Sequence, residues 1–141
     1  TIVEFKNGDL LLNMRNYTDD RLRKLSVSKD QGLSWGDIFS DESLIEPICQ
    51  ASMINIHRPF KKELLAFSNP NSKNAREKMT IQFSLDQAET WSQKILIHEG
   101  PSAYSNLVQL SNNEIACLFE GGIKSAYEGI AFKKIKIRDI K

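Results

Sequence analysis

Four side chains stand out for the chemistry they could perform: Arg15, Arg76, Tyr104 and Glu120. Arg15 closes the run LLLNMR and follows Asn13 on the same alternating face of an extended segment. Arg76 ends the loop NPNSKNAR. Tyr104 follows GPSA and precedes SNLVQL, and Glu120 ends CLFE just before two glycines. Arginine forks bind a carboxylate bidentately. A tyrosine set among cations can act as a nucleophile, because nearby positive charge favours a phenolate. Each of the four is expected at a strand end or in a connecting loop. Taken singly, a strand-end arginine is an ordinary surface charge, and a tyrosine beside glycine and proline is ordinary packing. Arg21 and Arg23, in RLRK, compete with Arg15 for the same role.

Such residues need elements that bring them together. Turn signals recur at short spacing, as KNGD, KDQG, SNPNS, LSNN and EGG. Between them lie short alternating or β-rich runs: TIVEF, LLLNM, LRKLSVS, SMINIH, ELLAFS, KMTIQFS, KILIH, NLVQL, IACLF and GIAFKKIKI. Helical periodicity is almost absent. DESLIEPICQ could hold one helical turn, limited by Pro47. The fold class is therefore all-β.

One phrase occurs twice. SKDQGLSW at 28–35 returns as SLDQAETW at 84–91, a period of 56 residues, and the strands around it repeat with it. A third unit begins at YSNLVQL and closes at GIAFKKIKI without an octet. Four-strand units at such a period point to β-propeller blades, which bury their faces only by stacking. The blades are expected over about 1–45, 50–98 and 103–138. Within the octet, Ser28, Asp30, Gly32 and Trp35 suit a hairpin tip. Asp30 can accept backbone N–H groups, Gly32 can take positive φ cheaply, and Trp35 is expected to return its ring to the blade core. Ser84, Asp86 and Trp91 repeat the pattern, with Ala88 in place of the glycine. If that position still needs positive φ, alanine there costs about 1 kcal/mol. The octets are read as structural staples, not as binding sites.

The 141 residues carry 26% charged side chains and a formal net charge of +1. That balance makes no case for nucleic acid or an anionic membrane. No apolar run is long enough to span a bilayer. The start, TIVEFKNGDL, has no signal-peptide pattern and reads as the beginning of a strand, so the natural N-terminus is expected to lie elsewhere. Cys49 and Cys117 lack the spacing of a zinc site or redox pair and are expected to be buried thiols. His57 and His98 are read as ordinary loop or surface residues. No metal and no cofactor are expected.

The segments EFKNGDLLLNMRNY, SLIEPICQAS, LLAFSNPNSKNAREKMTIQFSLDQAETW and GPSAYSNLVQLSNNEIACLFEGG resemble the C-terminal half of bacterial-type exo-α-sialidases, glycoside hydrolase family 33. The octet resembles that family's Asp box, S-x-D-x-G-x-[ST]-W, a motif other propellers share. The tyrosine segment and the arginine loop are the more specific matches. The resemblance implies about three blades of a six-bladed propeller. It implies that Tyr104 is the nucleophile toward the anomeric carbon of sialic acid, the tyrosine exception among glycosidases. It implies that Arg15 and Arg76 are the second and third arginines of a carboxylate-binding triad. Glu120 would orient the first arginine. A neutral phenol suits the task, because a carboxylate nucleophile would be repelled by the substrate's own carboxylate.

By the same resemblance, the first triad arginine, the acid/base aspartate and the glutamate that takes the tyrosine's proton lie outside this chain; Glu4 is not that glutamate by register. The chain alone is then expected to be inactive, and its open blade faces to favour self-association. The expected partner is a sialylated glycoconjugate. The family is commonly secreted, periplasmic or cell-surface. The competing reading is a non-catalytic Asp-box propeller that binds glycan or protein.

Overall fold

The structure, a computed structural model, describes residues 1–140. It is all-β, with ten strands and no helix among the described residues, and hence no helix long and apolar enough to cross a membrane. The strands are β1 (Ile2–Glu4), β2 (Leu10–Met14), β3 (Leu22–Ser28), β4 (Phe39–Ile45), β5 (Ser52–Ile56), β6 (Leu64–Pro70), β7 (Glu77–Ser84), β8 (Gln93–Ser111), β9 (Glu114–Gly121) and β10 (Gly129–Lys136). They form one sheet in the order β1-β2-β3-β4 and another in the order β10-β9-β8-β7-β6-β5. Every pairing is antiparallel.

Period-two alternation decides what each strand buries. In β6, Leu65 and Phe67 join Val3, Leu11, Leu25 and Met53 between the first sheet and the second. Leu64 and Ala66 turn the other way, toward Ile81, Phe83, Leu107, Ile115 and Phe119. β6 is thus buried on both faces along its whole length. That is why LLAF reads as a continuous apolar run, not an alternating one.

The turn after β3 and the turn after β7 are built alike. Ser28 Oγ donates to Asp30 Oδ1 at 2.8 Å and accepts the Gly32 N–H at 2.8 Å. Asp30 Oδ1 also accepts the Ser34 N–H at 2.8 Å. Ser84, Asp86, Ala88 and Thr90 repeat these bonds at 2.7, 2.9 and 2.9 Å. Gly32 has φ 89°, and Ala88 is held at φ 71°.

Three expectations need correction. DESLI is not a helical turn: it lies in β4, paired with β3. β4 escapes the eye because six of its seven residues are at least partly exposed and polar residues dominate it. Tyr104 lies inside a strand, not in a loop, because β8 runs without a break from Gln93 to Ser111. At Pro101 and Ser102 β8 changes partner from β7 to β9, so one strand serves two ladders. Finally, Trp35 is not in a core. It is 38% exposed, whereas Trp91 is 6% exposed. Trp91 packs on Phe67 with ring centroids 5.8 Å apart and donates from Nε1 to Asp41 Oδ2 of β4 at 2.7 Å. No sheet among the described residues lies against Trp35 in that way.

The cysteines are buried and unpaired, as expected. Burial pushes the Cys117 thiol up to about 11. His57 is exposed, but His98 is half-buried, bonded to the Gly122 carbonyl at 3.1 Å and tilted against Phe119.

Candidate functional site

Tyr104 is the centre of the site, and it is 45% exposed. The β8 bulge that carries it leaves its N–H without a ladder partner, and Glu120 Oε2 accepts that N–H at 3.0 Å. Glu120 lies on the neighbouring β9, so the bond runs across the sheet. The guanidinium of Arg76, in the residue just before β7, stands 6.0 Å from the centre of the Tyr104 ring. That lies at the outer limit of a cation–π contact. Arg15, just beyond β2, lines one cleft of about 440 Å³ together with Tyr104, Asn13, Arg23 and Gln50. Residues up to 89 positions apart in sequence therefore share one place.

Each arginine is held by different means. Arg15 donates from Nη2 to the Tyr17 hydroxyl at 2.9 Å, and its guanidinium centre lies 5.4 Å from that ring. Arg76 donates from Nη1 to the Tyr127 hydroxyl at 2.6 Å and from Nη2 to the Ile48 carbonyl at 3.0 Å. Neither pairs with a carboxylate among the described residues. Their charge is left without a carboxylate partner near Tyr104, as an anion site requires.

Arg23, weighed against Arg15, differs sharply. It is 2% exposed and its Nη1 lies 2.7 Å from Glu46 Oε2. Its Nε donates to Asn13 Oδ1 at 2.6 Å, and Nη1 also reaches the Cys49 carbonyl at 2.9 Å. Its charge is spent on a buried pair, whose disruption typically costs about 3–5 kcal/mol. Arg21 belongs to the turn before β3, with φ 55°. Cys49, whose carbonyl takes Arg23, is itself buried. Burial pushes its thiol up, against the pull of Arg76.

Three contributors escape inspection of the sequence: Tyr17, Tyr127 and the segment Ile48–Gln50. The chain has three tyrosines, and all three meet Arg15 or Arg76. Tyr17 is two residues from Arg15, a spacing that could have drawn notice. Tyr127 is 51 residues from Arg76, and nothing local connects them. The Asp-box residues Ser28, Asp30, Gly32, Ser84 and Asp86 are bonded within their own turns. Among the described residues, no group of three or more His, Cys, Asp or Glu side chains is placed to hold a metal ion.

Residues 1–117 match the BNR repeat-like domain family. A sialidase of Bacteroides fragilis is 34% identical over 99% of this chain and 26% of its own length. A sialidase of Micromonospora viridifaciens is 32% identical over 89% of this chain and 20% of its own. Among solved structures, a Hadza microbial sialidase superimposes with a TM-score of 0.84 at 33% identity, over 96% of this chain and 27% of its own. The chain thus spans about a quarter of the length of these relatives. It belongs to the BNR repeat-like family and corresponds to part of the β-propeller of family 33 sialidases.

Proposed function

We propose that this chain supplies the tyrosine side of the active site of a retaining exo-α-sialidase, within three blades at about 1–45, 50–98 and 103–138. The carrying observation is the convergence of an exposed Tyr104, Arg76 at 6.0 Å and Arg15 in the adjoining cleft. In this reading Arg15 and Arg76 take the carboxylate of a terminal sialic acid, releasing Tyr17 and Tyr127 from their forks. The Tyr104 oxygen then attacks the anomeric carbon. The bond to the leaving oxygen breaks, that oxygen gains a proton from an acid, and the phenol proton passes to a base. Water later cleaves the tyrosyl–sugar bond, with net retention. Glu120, already on the Tyr104 N–H, orients the nucleophile's strand and a further cation. Acid, base and first arginine are assigned to parts of the protein beyond these residues, so the chain alone is expected to be inactive. Its exposed face at Leu118, Ile130 and Phe132 is expected to favour self-association, which a monomeric sedimentation profile would exclude.

The test is release of a fluorophore from a sialic acid glycoside by the protein carrying this chain. Tyr104→Phe is expected to lower kcat on the order of a thousandfold or more. Arg76→Ala is expected to lower kcat/KM about a hundredfold, since a charged double hydrogen bond is lost. Sialoside binding without turnover would replace this reading by the non-catalytic one.

A further inference from the structure

Tyr104 sits where β8 leaves its ladder. Ser102 pairs with Gly121 and Ser105 with Phe119, so Ala103 and Tyr104 together face Glu120 alone. Such a bulge re-aims a side chain, and whatever replaces the missing ladder bonds sets the aim. On one side the replacement is Glu120. On the opposite edge of β8, past the last β7 pairing at Pro101, the next residue, Ser105, is held by Gln50, from the connection between β4 and β5. Gln50 Oε1 accepts the Ser105 N–H at 2.9 Å, and Gln50 Nε2 donates to the Ser105 carbonyl at 3.0 Å. A carboxamide offers a donor and an acceptor in that fork at every pH. The Ser105 hydroxyl is itself pinned to Ser68, at 2.8 Å from its Oγ and 3.2 Å from its carbonyl.

The connection that carries Gln50 also holds Arg76. Ile48 has φ 55°, a left-handed conformation that a β-branched residue rarely adopts. Its carbonyl takes the Arg76 guanidinium. Two residues along the same backbone, Gln50 takes the strand of Tyr104. Ile48, Cys49 and Gln50 therefore tie the Arg76 guanidinium to the strand of Tyr104, in addition to the bond from the Ser102 N–H to the Arg76 carbonyl at 2.8 Å.

We propose that Gln50 is a positioning residue for Tyr104: its amide holds both backbone groups of Ser105, the next residue along β8, and so fixes the phenol relative to Arg76. This role rests on the sialidase reading above. Gln50→Ala in the protein carrying this chain is expected to lower kcat at least tenfold and leave KM within about threefold, because both arginines keep their contacts. Gln50→Glu supplies the sharper readout. A protonated carboxyl keeps one donor and one acceptor, whereas a carboxylate loses the donor and faces the Ser105 carbonyl. The variant should approach wild-type kcat at low pH and lose it as pH rises through the carboxyl's pKa, a limb absent from the wild-type profile.

Wild-type kcat in Gln50→Ala, with Tyr104→Phe still inactive, overturns this role and leaves the sialidase reading standing. An equal loss in both Gln50 variants at every pH, without the new limb, overturns it in favour of a merely structural part. A rise in KM at unchanged kcat makes Gln50 a substrate contact and also overturns it. An inactive wild type removes the sialidase reading and this role with it.

Discussion

Ser28 and Ser84 perform the same task 56 residues apart. Each hydroxyl donates to the aspartate two residues on and accepts the N–H four residues on. The aspartates then take the N–H and hydroxyl of Ser34 and of Thr90. The two turns part company at their tryptophans. Trp91 is buried against Phe67 and bonded to Asp41 of the neighbouring sheet, while Trp35 is 38% exposed. One local code therefore makes a turn twice, but only a facing sheet turns a tryptophan into core. The octet is a turn signal first, and a packing signal only where a neighbour is present.

The largest test of that contrast is truncation of the rings. Trp91→Ala is expected to cost about 3–5 kcal/mol, the range for emptying a buried aromatic site. Trp35→Ala in the same 141-residue chain should cost less than about 1 kcal/mol, as for other exposed positions. Urea denaturation of both variants measures the gap, and equal losses would break the comparison. Next comes Asp41→Ala, which strands a buried indole N–H and is expected to cost about 1–3 kcal/mol. A loss indistinguishable from zero would mean that packing alone holds Trp91.

A smaller effect is set by the backbone. Ala88 sits at φ 71°, so Ala88→Gly should stabilise the second turn by up to about 1 kcal/mol. Gly32→Ala should destabilise the first by a similar amount. An added Cβ there would meet Leu10 at 3.4 Å, an ordinary contact, so the cost lies in φ and not in crowding. Opposite shifts in melting temperature are expected, and shifts of one sign would refute the equivalence of the turns.

The smallest effect is on pH dependence. The Ser34 hydroxyl, then the Ser34 N–H and the Ser28 hydroxyl, hold the Asp30 carboxyl down at about 2. At Asp86 burial pulls upward, yet bonds from Thr90 and Ser84 still hold it below its ordinary value. A depressed folded pKa contributes stability that is complete above the unfolded value and lost as pH falls through the folded one. The turns should therefore weaken as pH drops from about 4 toward 2. Asp30→Asn should show a shallower decline of melting temperature than the wild type over that window.

Much of the architecture is legible in the residues. Alternation and turn signals locate nine of the ten strands, because a half-buried strand writes its face into its sequence. β4 is missed because its burial depends on β3 and Trp91 and not on its own apolar residues. The run through GPSAYS is missed because glycine and proline usually end a strand. Here they mark the point where β8 exchanges one partner for another. At the site, Arg15, Arg76, Tyr104 and Glu120 could be picked out by residue type and by family resemblance. Tyr127 and Gln50 could not, since their partners lie 51 and 55 residues away.

By itself, then, the sequence determined the all-β class, the repeat and the two hairpin tips. The tips are held by hydrogen bonds that span four residues or fewer, so no other part of the chain need be known. Only the tertiary structure decided which tryptophan is core, where β8 changes sheets, and that Arg15 lines one cleft with Tyr104 while Arg76 stands 6.0 Å from its ring. Those outcomes depend on contacts between sheets, between residues tens of positions apart. The free energy of burial belongs to such a contact, and neither partner's local sequence specifies it.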